Sequence, residues 1–193
     1  SRVNGKVCFV SGVVPGEKVL VRVVKEKKDY TKAEPVKILT PSPARVEPTC
    51  PYVNDCGGCQ YQHLAYAEEL RWKEEQVRES LTWSLGIAGN LVGPIQPGDN
   101  EYRYRNSAAL HRTEEADGVP QRLGFIGRDN ESVIPVDDCL LAKEGLAPIF
   151  KGKISLKGGA RGVSFKLSED GRIFSDLRHE LFKVLVGDET LWA

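Results

Sequence analysis

Methionine is absent from the 193-residue chain, even at position 1, and its 27 Lys and Arg residues are balanced by 27 Asp and Glu residues. Because the chain has no starting methionine, we expect it to be a piece of a longer protein. The zero formal net charge excludes a protein that is basic over its whole length, as many nucleic-acid-binding domains are.

Long apolar runs are also absent. No segment approaches the roughly 18 consecutive apolar residues of a membrane span, and the start has neither the basic nor the apolar region of a secretory signal. We therefore expect a cytoplasmic protein with no membrane partner. Cysteine is scarce, with five residues, and in a reducing compartment clustered cysteines indicate metal ligands more than disulfides.

The first quarter of the chain is basic, although the whole is neutral. Through Arg45 it has ten Lys or Arg residues against four acids, which is the electrostatic footprint of a phosphate-binding surface. Residues 7–39 alternate between apolar and polar and are interrupted by a Pro-Gly turn, which predicts strands of a small OB-like β-barrel. Lys25, Lys27 and Lys28 would lie on a loop of this barrel and contact RNA. The alternative is an ordinary solvated hairpin tip.

A proline-rich stretch, PSPARVEP at residues 41–48, predicts a linker between two domains. We expect the barrel at residues 1–44 and a mixed α+β domain at residues 45–193. Apolar residues at helical spacing predict a long amphipathic helix from Leu64 to Leu85, ended by Gly86. Strand-like runs follow at residues 102–112, 123–128, 132–136, 153–157 and 162–167.

Alternating arginines and tyrosines begin the first of these runs. On a strand, Arg103 and Arg105 would share one face and Tyr102 and Tyr104 the other. Arginines can grip phosphates while a tyrosine ring stacks on a looped-out base, so we predict that Arg103 and Arg105 bind RNA. The alternative is a solvated arginine face with the tyrosines in the core.

Three cysteines fall within ten positions, and their spacing predicts a metal centre. Cys56 and Cys59 flank two glycines, which allow backbone amides to turn toward the sulfurs, and Cys50 supplies a third ligand. A fourth ligand could be His63, which would complete a zinc site of the finger type. It could instead be Cys139, which would give the four thiolates that suit a 4Fe-4S cluster. Spacing alone leaves both open.

The segments CPYVNDCGGCQYQHLAYAEELRWKEEQV, YRYRNSA and LGFIGR followed by VDDC resemble the RNA 5-methyluridine methyltransferase family. Its members are uracil-C5 enzymes that use S-adenosylmethionine and carry a TRAM domain and a 4Fe-4S cluster. FVSGVVPGEKVLVRV resembles the TRAM barrel, an OB-like RNA-binding module, without its first strand. The resemblance implies a 4Fe-4S cluster held by Cys50, Cys56, Cys59 and Cys139. It also implies rRNA or tRNA as the partner, and we expect a monomer.

The resemblance covers about residues 7–141, and the catalytic features of the family are not found in the chain. There is no Gly-rich turn between a strand and a helix for S-adenosylmethionine, no Phe-x-Gln-x-Asn segment and no nucleophilic cysteine. The remaining cysteine, Cys8, lies in a predicted strand, where a buried and inert thiol is expected. We therefore expect the intact protein to be an RNA (uracil-5-)-methyltransferase and this piece, without the S-adenosylmethionine domain, to be inactive.

Two other functions are compatible with the residues. One is a zinc-dependent RNA-binding module without catalytic activity, using Cys50, Cys56, Cys59 and His63. The other is a ferredoxin-like electron carrier, which is disfavoured because the cysteine loop follows a basic barrel.

Overall fold

The computed structural model describes residues 1–3, 5–114, 122–151, 161–176, 183–186 and 189–192. The chain divides into two compact units. Unit 1 comprises Ser1–Thr49 and Gln60–Pro97, and unit 2 comprises Cys50–Cys59 and Gly98–Ala193. This division differs from the boundary predicted at residue 44, because the cysteine loop belongs to unit 2 and the helix that follows it belongs to unit 1. The assignment of two domains at residue 44 stays a prediction.

Unit 1 contains a four-stranded sheet with the spatial order β1-β2-β4-β3. β2 and β4 run parallel, and the other neighbouring strands are antiparallel. The strands are β1 (Arg2–Val3), β2 (Lys6–Val10), β3 (Lys18–Glu26) and β4 (Tyr30–Thr40). The strands predicted over residues 7–39 are thus present and form one sheet. Among the described residues no pairing joins β1 to β3, so closure of this sheet into the predicted OB-like barrel is not shown.

A partly buried ion pair joins the β2–β3 turn to the proline-rich segment. The carboxylate of Glu17 is fully buried and accepts hydrogen bonds from the backbone N–H groups of Val14 and Ser42 at 2.9 and 3.2 Å. Arg45 donates to it through Nε and Nη2, the latter at 2.7 Å. These donors, with Arg45 the strongest, lower the pKa of Glu17 to about 2. The segment predicted as a linker is therefore anchored on the sheet.

One long helix, α1 (Tyr66–Leu85), follows in unit 1 and corresponds to the helix predicted over residues 64–85. It ends at Gly86, which adopts a left-handed φ of 64° and donates its N–H to the carbonyl of Thr82 at 3.0 Å. A left-handed residue is a common helix stop, and glycine adopts it without a Cβ clash. No helix in the described part of the chain has both the length and the apolar content to cross a membrane.

Unit 2 is built on a five-stranded antiparallel sheet with the order β7-β6-β5-β8-β9. Its strands are β5 (Ser107–Arg112), β6 (Leu123–Ile126), β7 (Val133–Pro135), β8 (Gly162–Leu167) and β9 (Ile173–Asp176). A short helix, α2 (Ala147–Lys151), packs beside it, and β10 (Lys183–Val186) pairs with β11 (Glu189–Trp192). The described residues of the chain are thus mostly β, with few helices.

The core of unit 2 consists of apolar side chains from the sheet and from the segment after β7. Leu110, Val136 and Leu146 are at most 2% exposed, and Val163 and Phe165 of β8 pack with them. The alternation of buried and exposed residues along β5 and β8 is that of half-buried strands. The strand predicted over residues 153–157 lies outside the described residues.

Candidate functional site

The cysteine loop, residues 50–59, is pinned to the turn that follows β6. The backbone of Cys56 pairs with that of Gly127, and the N–H of Gly57 donates to the carbonyl oxygen of Ile126 at 3.0 Å. A Cβ at Gly57 would lie 2.9 Å from the carbonyl oxygens of both Ile126 and Gly127. Real Cβ atoms do not approach backbone that closely, so this position requires glycine for packing.

The second glycine of the loop has a different role. The N–H of Gly58 points at Sγ of Cys56, with a nitrogen–sulfur distance of 3.4 Å. A Cβ at Gly58 would lie 3.5 Å from that sulfur, an ordinary contact. Hydrogen bonds from backbone amides to sulfur stabilise the negative charge of a thiolate, so this contact favours the thiolate form of Cys56.

Arg128, the second residue after β6, holds the loop through three backbone carbonyls. Its Nε donates to Val53 O and its Nη2 to Cys59 O, both at 2.9 Å. Its backbone N–H donates to Asp55 O, also at 2.9 Å. Arg128 therefore contacts the loop on both sides of Cys56.

Cys139 lies in a tight turn after β7, and a second arginine organises that turn. The N–H of Ala142 donates to Cys139 O at 3.0 Å, and Nη1 of Arg103 donates to Cys139 O and Ala142 O at 3.0 and 3.2 Å. The Arg103 guanidinium also binds both carboxylate oxygens of Asp138, at 3.0 and 2.6 Å. Asp138 in turn accepts the N–H of Cys139 at 2.8 Å. The Arg103 pairing lowers the pKa of Asp138.

A reciprocal contact connects the cysteine loop to the segment before Cys139. The hydroxyl of Tyr52 donates to Oδ2 of Asp137 at 3.3 Å and accepts the N–H of Asp137 at 3.1 Å. Tyr52 also packs against the core of unit 2. The loop and the Cys139 turn thus share one unit although about 80 residues separate them in the sequence.

The five cysteines are thiols, and none forms a disulfide. Cys8 is buried at 6% exposure, as expected for an inert strand residue. The other four are half-buried. Burial raises the pKa of Cys50, and the negative charges of Cys139 and Cys56 add to that effect. Cys50 is therefore within electrostatic range of ligand candidates from both the loop and the turn.

Within the described residues, no group of three or more His, Cys, Asp or Glu side chains is arranged to hold a metal ion. Thiolates that share one zinc ion stand about 3.8 Å apart, given the zinc–sulfur distance and tetrahedral geometry. Thiolates of a four-iron cluster bind separate iron corners and stand further apart. Four thiols of one unit, with an amide aimed at one sulfur, match the donor chemistry of such a cluster.

His63 gives no support to a zinc site. Among the described residues, no group of three or more potential ligands that includes His63 is arranged to hold a metal ion. The backbone carbonyl of His63 accepts the N–H of Val46 at 3.1 Å, which ties the proline-rich segment to the residues before α1.

Arg103 and Arg105 do not lie on one face of a strand, so this expectation was wrong. β5 begins only at Ser107, and Arg103 adopts a left-handed φ of 58°, which lies outside the range of a regular strand. The segment instead runs beside the Cys139 turn, because the N–H groups of Arg103 and Arg105 donate to Leu140 O and Leu141 O, both at 2.8 Å. The guanidinium of Arg105 lies over the ring of Tyr104, with Cζ 5.9 Å from the ring centre, and Tyr104 is 50% exposed.

The predicted RNA-binding lysines surround the tight turn between β3 and β4. Lys25, Lys27 and Lys28 are exposed, and the N–H of Lys27 closes the turn onto Tyr30 O at 2.8 Å. Lys25 stands directly opposite Lys32 in the sheet, an arrangement in which like charges repel. Within the described residues, none of these four lysines forms an ion pair. Their charge is therefore available to an anionic partner.

Sequence reasoning missed Arg128, Asp138 and Tyr52 as parts of the site. All three fall inside or beside the motifs quoted above, but their hydrogen bonds reach residues far away in the sequence. Only Asp138, adjacent to Cys139, could have been suspected from its position.

No family model matches the chain, but curated proteins resemble it closely. An RNA methyltransferase of Aquifex aeolicus is 43% identical over 144 residues, which are 75% of this chain and 32% of that protein. An RNA methyltransferase of Halalkalibacterium halodurans is 31% identical over 179 residues, 93% of this chain and 38% of that protein. The chain thus spans about a third of the length of the curated relatives it matches.

These relatives show that the chain belongs to the RNA methyltransferases. Among them is the 23S rRNA (uracil(1939)-C(5))-methyltransferase RlmD of Shewanella baltica, 34% identical over 141 residues, 72% of this chain and 31% of that protein. The resemblance to the uracil-C5 family is confirmed. A crystal structure of the Pyrococcus abyssi tRNA (uracil-54, C5)-methyltransferase with S-adenosyl-L-homocysteine shares the fold, with a TM-score of 0.59 at 22% identity, over 87% of this chain and 40% of that one.

Proposed function

We propose that the chain is the RNA-binding and iron-sulfur portion of an S-adenosylmethionine-dependent RNA (uracil-C5) methyltransferase that acts on rRNA or tRNA. The observation that most supports this is the joining of the cysteine loop and the Cys139 turn within unit 2 by Tyr52 and Asp137. The similarity of the chain to named uracil-C5 methyltransferases supports the same proposal.

In this proposal Cys50, Cys56, Cys59 and Cys139 hold a 4Fe-4S cluster. When bound, a cluster of this type supplies a covalent cross-link between loop and turn and a centre that can exchange electrons. The protein's own contribution is to keep the thiols close together and to stabilise their negative charge. The N–H of Gly58 does so directly at Cys56.

RNA would bind first through the basic surface of unit 1, in the TRAM-like domain proposed for residues 1–44. Lys25, Lys27, Lys28 and Lys32 concentrate positive charge at one end of the β3–β4 pair without acidic partners among the described residues. Neutralising phosphates with such lysines gives affinity without sequence preference.

A second RNA contact is proposed at Tyr104 and Arg105. The exposed ring of Tyr104, with the Arg105 guanidinium beside it, offers a planar surface on which an unpaired base can stack. Arg103 also remains a predicted RNA contact, but its guanidinium donates to Asp138, Cys139 and Ala142. Of the two arginines, Arg105 is the better placed to bind a base.

Methyl transfer itself is assigned to a part of the intact protein outside this chain. Methylation of uracil at C5 requires a thiolate to add at C6 and a base to remove the C5 proton. With four cysteines as cluster ligands, the remaining thiol is Cys8, which is 6% exposed and is therefore expected to be inert. S-adenosylmethionine would bind in that other part, and we expect an intact monomer in the cytoplasm.

The test is anaerobic reconstitution of the chain with ferrous iron and sulfide, followed by an RNA titration and a methyl-transfer assay. We expect about four iron and four sulfide ions per chain, a broad visible absorption band, salt-dependent RNA binding and no 5-methyluridine. Zinc bound in place of iron, or RNA binding that does not change with salt concentration, would contradict the proposal. Methyl transfer by the chain alone would show that the chemistry had been assigned to the wrong part.

A further inference from the structure

The side chains of Asp138 and Arg103 bind the two polar backbone groups of Cys139. Asp138 accepts the Cys139 N–H at 2.8 Å, and Arg103 donates to the Cys139 carbonyl at 3.0 Å. The two side chains are joined by a bidentate ion pair. In this geometry two parallel N–H···O hydrogen bonds fix the orientation of the guanidinium relative to the carboxylate. Both polar backbone groups of one cysteine are thus held by a single ion pair.

The backbone of Arg103 is held in an unfavourable conformation to make these contacts. Its φ of 58° is unfavourable for an L-residue that has a Cβ atom. Such a conformation persists only where surrounding contacts compensate for its cost in free energy. Here the compensation is visible. The Arg103 N–H donates to Leu140 O at 2.8 Å, and the guanidinium also reaches Ala142 O at 3.2 Å. Every one of these acceptors lies in the turn that carries Cys139.

We propose that Arg103 and Asp138 are positioning residues that fix the Cys139 thiol for binding an iron-sulfur cluster and set the charge beside it. This inference rests on the proposed function. Cys139 is remote in sequence from the other three ligand candidates, so the short chain segment that carries those three does not by itself position the Cys139 backbone. A ligand on an unordered turn would lose chain entropy each time it bound.

The opposite charges of Arg103 and Asp138 allow a test that distinguishes their proposed role from a purely structural one. Replacing Arg103 by Gln leaves the charge of Asp138 uncompensated, which disfavours adding an electron to a nearby cluster. Replacing Asp138 by Asn leaves the charge of Arg103 uncompensated, which favours it. The reduction potential should therefore fall in Arg103→Gln and rise in Asp138→Asn, while both variants lose iron faster.

Arg122 provides a matched control. Its guanidinium pairs with Asp137, the residue before Asp138, at 2.5 Å, but none of its hydrogen bonds within the described residues reaches the backbone of Cys139. Arg122→Gln therefore makes the same change of charge beside the turn without releasing Cys139. A difference between Arg103→Gln and Arg122→Gln isolates the backbone contacts.

The experiment reconstitutes the full chain and each variant anaerobically with ferrous iron and sulfide. It then measures iron loss to a ferrous chelator and the reduction potential of the cluster. We expect iron loss about 10-fold or more faster in Arg103→Gln and Asp138→Asn, a rate near wild type in Arg122→Gln, and potentials that shift in opposite directions. If Arg103→Gln does not fold, Arg103→Lys against Arg122→Lys makes the same comparison of iron loss.

Equal iron loss in the Arg103, Asp138 and Arg122 variants would overturn the inference, and so would potentials that shift in the same direction in Arg103→Gln and Asp138→Asn. In either case a wild-type chain that holds its cluster would leave the proposed function intact. A wild-type chain that takes up no iron would overturn the proposed function, and this inference with it.

Discussion

Arg45 donates two hydrogen bonds to the fully buried carboxylate of Glu17. This pair fixes the proline-rich segment on the sheet of unit 1, where the sequence had indicated only a linker. Breaking one side of a buried ion pair is costly, because the remaining charge is left without its partner.

We therefore predict that Glu17→Gln lowers the free energy of unfolding by about 3 kcal/mol. The control is Glu34→Gln, whose carboxylate pairs with Arg22 on the exposed surface and should change stability by about 0.5 kcal/mol or less. Denaturant unfolding followed by circular dichroism measures both. Equal effects of the two substitutions would show that the Glu17–Arg45 pair contributes no more to stability than the exposed Glu34–Arg22 pair.

The same pair predicts a pH dependence. The pKa of Glu17 is lowered from 4.5 to about 2, so its contribution to stability is fully present above pH 4.5 and is lost as the pH falls toward 2. The stability difference between wild type and Glu17→Gln should shrink over that range. Unfolding curves at pH 7, 4 and 2.5 check this, and a difference that stays constant would refute the assignment.

Adjacent glycines of the cysteine loop should respond very differently to alanine. A Cβ at residue 57 meets two carbonyl oxygens at 2.9 Å, while one at residue 58 meets a sulfur at 3.5 Å. We predict that Gly57→Ala destabilises unit 2 by about 1 to 3 kcal/mol and impairs iron uptake. Gly58→Ala, the matched control, should leave both close to wild type. Thermal unfolding with iron analysis would decide, and similar behaviour of the two variants would contradict the packing described for this loop.

For RNA binding, the lysines of the β3–β4 turn should act through charge alone. Replacing Lys25, Lys27 and Lys28 with Ala should weaken binding to all RNAs alike and flatten the salt dependence by about two to three phosphate contacts. Arg22→Ala on the same sheet is the control, because Glu34 already offsets its charge. Titrations at several salt concentrations measure the slope, and an unchanged slope in the triple variant would identify the turn as an ordinary solvated hairpin.

Tyr104 and Arg105 should instead distinguish one RNA structure from another. Arg105→Ala or Tyr104→Ala should cost about 1 to 3 kcal/mol of binding free energy on an RNA with an unpaired loop and much less on a plain duplex. Equal losses on both RNAs would make Arg105 a phosphate anchor. Arg103→Ala is predicted to behave similarly only if its side chain leaves Asp138 to bind RNA.

Local patterns predicted the elements whose formation depends on near neighbours. Helical spacing and Gly86 indicated α1, and alternation with a Pro-Gly turn indicated the strands of unit 1. The error at Arg103 has a physical cause. Residues 102–106 alternate like a strand, but hydrogen bonds to residues 140–142 hold Arg103 in a left-handed conformation. Periodicity does not report such long-range contacts.

The candidate site shows the same limit. The spacing of Cys50, Cys56 and Cys59 indicated a metal centre, but the choice of Cys139 as fourth ligand came from family resemblance. Its connection to the loop through Tyr52 and Asp137 spans 85 residues, and no local signal marks it. The backbone pairing of the loop with Gly127 is a long-range contact of the same kind, and the spacing of the cysteines does not indicate it.

The most direct test of the four-thiolate site is the iron content of Cys139→Ser beside wild type, after anaerobic reconstitution of the full chain. Cys8→Ser and His63→Ala serve as controls, because neither residue is a proposed cluster ligand. We predict about four iron ions per chain in wild type and both controls, and almost none in Cys139→Ser. A Cys139→Ser chain that retained its full iron content would contradict the account.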